Sequence, residues 1–383
     1  MNRYLLAGCA AVALTVGCGS AFAQFEVKVG GDAFFEAGIV GQDQDAGRRA
    51  MDFRNRFRLV VTPTAKADNG LTYGARVRIR ANKADADVDG DRAFVFVEGN
   101  FGRVDAGVVD GVSDNTYVGH PQDYKIFGLY DMYRAYVVTP LAGGNAAGVN
   151  GPQLFGSSGA GTKINYYSPR FNGFQVALTY MPNSASVNTD TARGKYTAGG
   201  GAGGMTASYQ DVYEVTANYA GEFNGVGVKL GGGYAGGSAT ADAAGGPKYK
   251  NLSSWNVGAN LAYAGFSVGG GYTTAGQSGQ EKSVATLRDD YNSWNVGVQY
   301  TTGPWVIGGS YFRTVDAGSL AVRGDRKLDA WSAGLLYTVA PGLRSGLEYT
   351  YFDQKSDRPT VAGVKPADKD NGSVLMLRTA VNF

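Results

Sequence analysis

Six arginines recur at alternate positions in two neighbouring stretches of the sequence: Arg54, Arg56, Arg58, Arg76, Arg78 and Arg80. Side chains alternate between the two faces of a β-strand, so each triplet would lie on one face, with apolar residues such as Phe53 and Val77 on the other. A guanidinium group binds carboxylates and phosphates through paired N–H donors. The sequence therefore predicts a basic surface that attracts anions.

The two arginine stretches are joined by a connection at 63–70, which favours an antiparallel hairpin. Pairing centred on residue 67 would set Arg58 opposite Arg76, Arg56 opposite Arg78 and Arg54 opposite Arg80. Like charges directly opposite each other across a sheet are destabilising unless water or acidic groups surround them. This face is therefore not a dry core. It lines a water-filled interior, or it is the solvated outer face of a soluble sheet.

A long connection at 110–161 is the candidate source of opposing charge. It carries several aromatic residues and four acids: Asp110, Asp114, Asp123 and Asp131. A connection of about 50 residues is rarely a plain surface loop. Folded into a lumen, it would narrow a channel and present carboxylates to the arginines, so we interpret 110–161 as a constriction loop.

The composition argues against several other kinds of function. The chain has 35 Lys and Arg against 33 Asp and Glu, a balance that argues against nucleic-acid binding. A single His excludes a multi-histidine zinc site, and an outer-membrane barrel enzyme would need a Ser/His or Asp/His constellation. The sequence contains no phosphate-binding or dinucleotide-binding motif. We therefore expect no enzymatic activity, no cofactor and no bound metal.

Residues 1–23 have the pattern of a secretory signal peptide. One arginine precedes an apolar run at 5–16, and an Ala-Phe-Ala cleavage pattern follows. We expect cleavage between Ala23 and Gln24. The apolar run is shorter than the ~20 residues that a membrane span needs, which disfavours a transmembrane anchor. A lipoprotein signal with Cys18 as the lipidated residue is a further alternative.

After the signal peptide, apolar residues recur with the period of two that is typical of strands. We count sixteen such segments, at 25–40, 51–62, 71–82, 92–99, 102–109, 162–168, 173–180, 212–221, 226–234, 255–263, 266–274, 293–300, 305–314, 328–339, 343–353 and 373–383. Short connections with Gly or Pro alternate with long polar ones, which is typical of an outer-membrane β-barrel. The prediction is an all-β fold, a sixteen-stranded antiparallel transmembrane β-barrel over residues 24–383, with long external loops and an inward-folded third loop.

Aromatic residues fit the rims of such a barrel, because Trp and Tyr prefer the boundary between membrane and water. Three strands begin with Trp and end with Tyr on the same face: Trp255 to Tyr263, Trp294 to Tyr300 and Trp331 to Tyr337. The spacing of these Trp residues also resembles a propeller repeat, but a propeller blade needs four short strands where this chain has two long ones. A secreted soluble all-β binding protein therefore stays as an alternative.

Several segments resemble the general porins of Gram-negative bacteria, of the α-proteobacterial type. They are FEVKVGGDAFFEAGIV, RNRFRLVVTPTAKADNGLTYGARVRIRA, FVFVEGNFGRVDAGV and TKINYYSPRFNGFQVALTY, and the chain ends in Phe383. The resemblance implies a homotrimer of sixteen-stranded barrels in the cell outer membrane. It also implies that the third external loop narrows the pore opposite the pore-lining arginines, and that the barrel-assembly machinery binds the terminal Phe383.

The sequence thus predicts an outer-membrane porin that forms a water-filled channel for passive diffusion of small hydrophilic solutes and ions. A substrate-selective porin for a sugar or an anion is the alternative, since an arginine patch suits anionic solutes. Besides these solutes, the expected partners are outer-membrane lipid and lipopolysaccharide, further copies of the chain in a homotrimer, and the barrel-assembly machinery. Nucleic acid is not an expected partner.

Overall fold

The structure of the chain, a computed structural model, describes residues 25–43, 45, 47–81, 89–125, 132–137, 158–184, 186, 189, 193, 208–240, 246–283, 290–317, 325–356 and 369–383. Within these ranges sixteen β-strands close into one antiparallel barrel, which confirms the predicted fold class. The predicted signal peptide at 1–23, with its cleavage site, lies outside the described residues. In the described ranges no helical segment has the length and hydropathy of a membrane-spanning helix.

Each strand pairs with its neighbours in the sequence, and the last pairs with the first. The strands are β1 Glu26–Gln42, β2 Met51–Lys66, β3 Thr72–Arg80, β4 Asp89–Gly99, β5 Gly102–Asp110, β6 Ala160–Tyr167, β7 Phe174–Asn183, β8 Tyr209–Phe223, β9 Val226–Ala239, β10 Leu252–Tyr263, β11 Phe266–Gly276, β12 Tyr291–Thr302, β13 Trp305–Ala317, β14 Asp325–Ala340, β15 Leu343–Ser356 and β16 Lys369–Asn382. Between β5 and β6 lie the short helix α1, Val112–Asn115, and a 3-10 turn at Met132–Ala135. Each strand corresponds to one of the sixteen predicted segments.

The barrel closes along a seam between β1 and β16. In the register of this pair Asp32 lies opposite Asn382. The N–H of Gly31 donates to the carbonyl of Phe383 at 2.8 Å, and the N–H of Phe383 donates to the carbonyl of Gly31 at 3.1 Å. The ring of Phe383 also lies 5.9 Å from the ring of Phe57 on β2. Closure satisfies backbone groups that an open sheet edge would leave unpaired in lipid.

The outer face of the barrel is apolar, with aromatic side chains near both ends of the strands. Trp255 and Tyr263, towards the two ends of β10, are 47% and 62% exposed, and Trp294 and Tyr300 repeat the arrangement on β12. Eight residues at a rise of ~3.4 Å extend ~27 Å along a strand, or ~20 Å along the barrel axis at a tilt of ~40°. The predicted position of these aromatic residues on the outer face is confirmed.

The inner face is largely polar, but one sector of it is packed with apolar side chains. Residues from β1 and β13–β16 meet Tyr133 there: Phe34, Phe312, Leu328, Ala330, Leu336, Phe352, Val374, Met376 and Ala380. Tyr133 belongs to the connection between β5 and β6, and it is 1% exposed. This connection therefore folds into the barrel, as the sequence predicts for the third external loop.

Three predicted strand boundaries are wrong by four residues or more. β9 continues to Ala239 and not to 234, β16 begins at Lys369 and not at 373, and the end of β2 is the third. β2 continues to Lys66, whereas the sequence pattern predicts that it ends at residue 62, and β3 begins only at Thr72. Pro63 has no N–H for a sheet hydrogen bond and is typical of turns. For this reason the sequence pattern predicts the end of β2 just before Pro63. The strand continues through it next to Gly74 of β3, where a Cβ atom would lie 2.2 Å from the Pro63 carbonyl oxygen. The absence of a side chain at Gly74 lets the two strands approach each other at the proline.

Candidate functional site

The predicted arginine cluster lies on the inner face of β2 and β3. On β2 the alternating residues Phe53 and Phe57 point outward and are 57% and 41% exposed, whereas Arg56 between them is 8% exposed. Side chains alternate between the two faces of a strand, so the other arginines of both triplets lie on the same inner face. The water-filled side predicted for these arginines is therefore the lumen of the barrel.

The predicted pairing of the two arginine triplets is wrong. Arg58 lies opposite Arg80 and not opposite Arg76, and Arg78 lies opposite Val60. Because β2 is longer than the sequence pattern indicates, its register against β3 differs by four residues from the predicted one. A single pair of arginines stands directly opposite across this ladder, where three were expected, which lowers the repulsion between the strands.

Arg54 and Arg56 lie beyond the end of the β2–β3 ladder and form ion pairs with acids of β1. The Arg56 Nε atom donates to Asp32 Oδ1 at 3.1 Å, and Arg54 Nε lies 3.3 Å from Glu36 Oε1. Glu36 is fully buried and also forms an ion pair with Arg378 of β16. These acids of the neighbouring strand compensate the charges of two of the six arginines.

The arginines of β3 have an acidic partner on β4. Arg78 donates to both carboxylate oxygens of Asp91 at 2.6 Å, in the two-pronged geometry that favours guanidinium binding, and Arg80 contacts the same carboxylate. Next to them, Arg92 donates to Asp110 at 2.9 and 2.5 Å. The charges of this wall are therefore largely balanced by side chains of the wall itself.

Arg58 and Arg76 are the members of the cluster without an ion pair to any carboxylate of the described residues. The Nε atom of Arg58 is buried and has no hydrogen-bond partner in that part of the chain. Arg76 lines a cavity of about 810 Å³, to which β3–β5 and the turn between β6 and β7 contribute five arginines and three carboxylates: Arg76, Arg78, Arg92, Arg103, Arg170, Glu98, Asp105 and Asp110. We call the inner face of β2–β4 that carries the six arginines of the cluster and Arg92 the arginine wall. The open space beside it therefore carries an excess of positive charge.

The connection between β5 and β6 follows the opposite wall of the barrel. We call its described parts, residues 111–125 and 132–137, the inner segment. Near its start, the Val112 N–H donates to Thr179 Oγ1 of β7 at 3.0 Å. The fully buried Glu214 of β8 accepts the Ser113 N–H at 2.8 Å and also that of Ser158, just before β6. One carboxylate thus fastens both ends of the connection to the wall.

Glycines on six consecutive strands form a groove that receives the inner segment. A Cβ atom on Gly258 would lie 1.8 Å from the Val118 carbonyl oxygen, and one on Gly308 would lie 2.3 Å from the ring of Tyr124. The groove runs from β9 to β14 along Gly231, Gly258, Gly271, Gly297, Gly308 and Gly334. The sequence pattern does not predict this groove. Glycine is compatible with either face of a strand, so its positions show no hydrophobic periodicity.

Polar contacts hold the inner segment in the groove. Lys125 forms a buried ion pair with Glu348 of β15, with Nζ 2.5 Å from Oε1. The ring Nδ1 of His120 lies 3.0 Å from Asn295 Oδ1 on β12. Burial lowers the pKa of His120 to about 4, since a charged imidazole loses its hydration there, so this ring is neutral at pH 7.

The far end of the inner segment returns to the arginine wall. The Tyr133 ring packs 6.0 Å from that of Phe352 on β15. The Tyr136 hydroxyl donates to Glu36 Oε1 at 3.0 Å, and its ring lies 5.8 Å from the Arg54 guanidinium. Burial raises the pKa of Tyr136 to about 12, so the hydroxyl keeps its proton and remains a donor. The inner segment thus spans the lumen wall from β7 round to β1.

The four acids predicted for the constriction loop occupy different positions. Asp110 is the last residue of β5 and contacts the arginine wall through Arg92. Asp114 lies in α1, and Asp123 accepts a hydrogen bond from Gln299 of β12 at 2.6 Å. Asp131 lies outside the described residues.

Sequence reasoning missed the acids that pair with the arginines: Asp32, Glu36 and Asp91. Asp32 and Glu36 alternate with Phe34 on one face of β1, and this shared phase with the arginines of β2 is the signal that could have identified them.

Within the described ranges no cluster of three or more His, Cys, Asp or Glu side chains could hold a metal ion.

Comparisons with known proteins agree with this architecture. The sequence profile of the Gram-negative porin family matches residues 10–357. Two uncharacterized proteins, of Rickettsia conorii and Rickettsia felis, are 21% identical over 94% of this chain and 93% of their own lengths.

Solved structures share the fold at low sequence identity. OmpT of Vibrio cholerae, an outer membrane protein in a trimer form, is 16% identical, with a TM-score of 0.59 over 94% of this chain and 99% of OmpT. A mutant of the Rh. blastica porin is 15% identical, with a TM-score of 0.55 over 93% of this chain and 100% of that porin.

Proposed function

The chain belongs to the Gram-negative porin family and is an outer-membrane channel, and from this premise we propose that small hydrophilic solutes and ions diffuse through it passively, with a modest preference for anions. The family and the fold point to a channel and not to an enzyme. The observation that carries the proposal is the arginine wall, in which Arg58 and Arg76 lack a carboxylate partner among the described residues.

The size of the preference follows from the pairing of charges. Four of the six guanidinium groups of β2 and β3 pair with three wall carboxylates, so these four add little to the field in the lumen. The remaining positive charge raises the local concentration of anions in a narrow, water-filled passage whose walls have a low dielectric constant. Salt screens this effect over a Debye length of ~10 Å at 0.1 M and ~3 Å at 1 M. The preference should therefore be largest in dilute salt.

The experiment is a measurement of the zero-current potential across a salt gradient in planar bilayers. The double variant Arg58→Gln with Arg76→Gln should shift that potential towards cation preference in dilute salt, and by much less near 1 M. The matched control is Lys28→Gln with Lys66→Gln, which also removes two positive charges. These lysines lie on β1 and β2 near the short-turn end of the barrel, and the Lys28 side chain is largely exposed. An unchanged potential in the arginine variant would overturn the proposed role of these two residues.

A channel selective for one anion is the second candidate, and the cavity beside Arg76 favours it because several guanidinium groups meet there. Such a channel would hold its preferred solute at a site, so its conductance would saturate at low concentrations of that anion. A general channel gives a current that rises in proportion to salt. Conductance over a concentration series of chloride, phosphate and a dicarboxylate distinguishes the two.

We also propose that the barrel is a homotrimer whose contact surface is the outer face of β1–β4. All four Trp residues lie on the other side of the barrel, on β10 and β12–β14: Trp255, Trp294, Trp305 and Trp331. The outer face of β1 and β2 carries Phe35, Phe53 and Phe57 together with the exposed amide of Asn55. A polar amide at the depth of the apolar band is costly in lipid, which supports a covering protein surface there. The trimer form of the OmpT neighbour agrees with this proposal.

The terminal Phe383 has a position that suits recognition during assembly. Its side chain is 55% exposed, while its backbone hydrogen bonds close the seam with Gly31. The barrel-assembly machinery could therefore bind this aromatic ring before the seam forms. Phe383→Ala should lower the amount of folded barrel in the outer membrane, measured by the heat-dependent shift on gels, whereas the same change at Phe223, the exposed last residue of β8, should not.

A further inference from the structure

The cavity of about 810 Å³ beside the arginine wall is lined by two guanidinium groups that its own carboxylates do not neutralise. All three carboxylates that line it form ion pairs with Arg92 or Arg103. Arg76 and Arg170 have no carboxylate partner among the described residues. Arg76 is exposed on β3, and Arg170 is exposed in the short turn between β6 and β7. A solute in the cavity therefore meets unpaired positive charge.

Arg103 offers this cavity a flat surface and not a pair of donors. Its Nε atom donates to Asp105 Oδ1 at 2.7 Å, and Nη1 donates to Glu98 Oε2 at 3.3 Å. Its guanidinium carbon lies 4.3 Å from the centre of the Phe96 ring, so one face of the group is covered. The side chain is 33% exposed and lines the cavity with the other face. A guanidinium group with occupied edges and one free face suits an aromatic ring better than an anion.

The Phe96 ring beneath Arg103 is fixed by the wall. It is 6% exposed and lies over Gly74 of β3, where a Cβ atom would be 2.8 Å from the Phe96 Cζ atom. The buried Asp105 holds Arg103 from the next strand. The stack of ring and guanidinium group is thus formed before any solute arrives, which lowers the entropy cost of binding a ring on it.

Tyr167 supplies a hydroxyl donor at the same end of the cavity, since it lies opposite Arg103 in the strand register. Its oxygen accepts a hydrogen bond from Asn115 Nδ2 at 2.7 Å and another from Asn165 Nδ2 at 3.3 Å. Both amide groups donate, so the proton of the hydroxyl remains for an acceptor, and none lies among the described residues. An oxygen atom of a solute would fill that place.

The strand register also sets the order of these groups along the cavity. Arg76 lies opposite Phe94, and Phe96 follows two residues further along β4, a distance of ~7 Å. Tyr167 and Arg103 share the next row towards the short-turn end of the barrel. A solute lying along the wall would therefore meet a free guanidinium group, then a flat cationic face, then a hydroxyl donor.

We propose that this cavity binds a planar aromatic carboxylate of the hydroxycinnamate class. The carboxylate pairs with Arg76, the ring lies on the free face of Arg103, and the ring hydroxyl accepts the proton of Tyr167. An inorganic anion would use only the first of these groups. This inference rests on the proposed anion-preferring channel and names a class of solute that its wall retains during passage.

The test is a titration of the purified, folded protein in detergent with four solutes, followed by ligand-observed nuclear magnetic resonance. Para-hydroxycinnamate should bind most tightly. Its neutral amide should bind roughly 10- to 100-fold more weakly, because it lacks the charge-assisted hydrogen bonds to Arg76. Cyclohexylpropanoate keeps the carboxylate without the aromatic ring and should bind about 2- to 5-fold more weakly. Cinnamate, without the ring hydroxyl, should bind about 2- to 10-fold more weakly.

Two variants assign the contacts. Arg76→Gln should weaken the binding of para-hydroxycinnamate roughly 10- to 100-fold and have little effect on that of the amide. Tyr167→Phe should weaken the binding of para-hydroxycinnamate about 2- to 10-fold and should not weaken that of cinnamate, which has no hydroxyl to accept the proton.

The matched controls are Arg58→Gln and Tyr166→Phe. Arg58 is the other arginine of the cluster without a carboxylate partner in the described residues, and it does not line the cavity. Tyr166 precedes Tyr167 on β6, so its side chain lies on the outer face. Neither control should change the affinity for para-hydroxycinnamate by more than about twofold, since salt screens a charge beyond ~10 Å.

Equal affinities for para-hydroxycinnamate and its amide would overturn the proposal, and so would an effect of Arg58→Gln as large as that of Arg76→Gln. If Arg76→Gln does not fold, the four solutes on the unchanged protein decide, and cyclohexylpropanoate binding as tightly as para-hydroxycinnamate is equally contradictory. Cation preference of the unchanged protein in plain salt would overturn the proposed function. An anion-preferring channel that does not bind para-hydroxycinnamate would overturn this inference alone.

Discussion

At the scale of single residues, the charges of the lumen are ordered in pairs between strands that are neighbours in space. The six arginines of β2 and β3 could be predicted from their spacing, because the period of two alone assigns them to one face. The phase of β1 could have placed Asp32 and Glu36 on the same face as the arginines of β2. Which arginine each acid contacts, and the pairing with Asp91, depend on a register that the sequence does not specify. Four of the arginines form ion pairs within the wall, and the predicted opposition of loop acids across the pore stays a prediction.

The buried ion pair between Lys125 and Glu348 should be the most costly contact of the inner segment to break. Lys125→Met leaves a buried carboxylate without its partner, which typically costs 3–5 kcal/mol. Unfolding in urea with lipid vesicles should report about that loss, and Lys125→Met combined with Glu348→Leu should recover most of it. The exposed pair of Lys28 and Glu26, 3.8 Å apart, is the control, where Lys28→Met should cost less than 1 kcal/mol. Equal costs at the two sites would contradict the burial argument.

His120 should make the barrel less stable in mild acid. Its pKa is lowered to about 4 in the folded state, so between pH 6.5 and 4 the unfolded chain binds a proton that the folded chain does not. Stability is full above pH 6.5 and falls as the pH drops, by about 2–3 kcal/mol at pH 4.5. Lys125 faces the ring and adds to the effect. The difference in unfolding free energy between pH 7 and pH 4.5 should be smaller in His120→Asn, and an equal difference in both proteins would refute this.

At the scale of elements, the strands could be predicted and the path of the inner segment could not. The alternating pattern identified all sixteen strands because each has one lipid-facing side. The ends of β2 and β9 and the start of β16 differ from the predicted ones by four or five residues, more than the usual uncertainty of strand ends. The length of the connection at 110–161 indicated that it folds inward. Its position along β9–β14 depends on where glycines leave space, and a residue without a side chain gives no sign in the sequence of what packs against it.

The glycine groove should therefore be sensitive to the smallest possible enlargement. Gly258→Ala and Gly308→Ala each add a Cβ atom where Val118 or Tyr124 now lies, so the inner segment must move towards the lumen. We expect a lower single-channel conductance and a loss of about 1–3 kcal/mol in unfolding free energy, typical of overpacking. Gly41→Ala, on the outer face of β1, is the control, since its Cβ would meet no atom within 4 Å. A conductance unchanged in both groove variants would show that the segment is not held by this groove.

At the scale of the whole molecule, the asymmetry of the outer surface leads to a prediction about assembly. Phe35→Ser with Phe53→Ser removes two large side chains, 56% and 57% exposed, from the proposed contact surface. Removing such side chains from the centre of an interface typically costs 2 kcal/mol or more each, so the double variant should release monomers under mild detergent conditions. Chemical cross-linking, which should give a ladder ending at three for the unchanged protein, measures this.

The control for the trimer is Val257→Ser with Val296→Ser, on the outer face of β10 and β12, where the side chains are 50% and 45% exposed. This variant should remain trimeric, because the changed residues face lipid. Loss of the cross-linked trimer in the control, or its retention in the Phe35 and Phe53 variant, would contradict the assignment of β1–β4 as the contact surface.

The seam between β1 and β16 also sets the order in which the barrel can form. Fifteen of the sixteen strand pairings join consecutive strands, and all of these except β5 with β6 and β7 with β8 need only short chain closures. The sixteenth joins residues as far apart as Asp32 and Asn382. Local hairpins form within microseconds, but this last pairing must wait until every intervening strand is in place. Until then both edges of the sheet stay open and can pair with another chain. The slow step in making this channel is thus its closure, and the risk of aggregation is concentrated in the time before the two ends of the sheet meet.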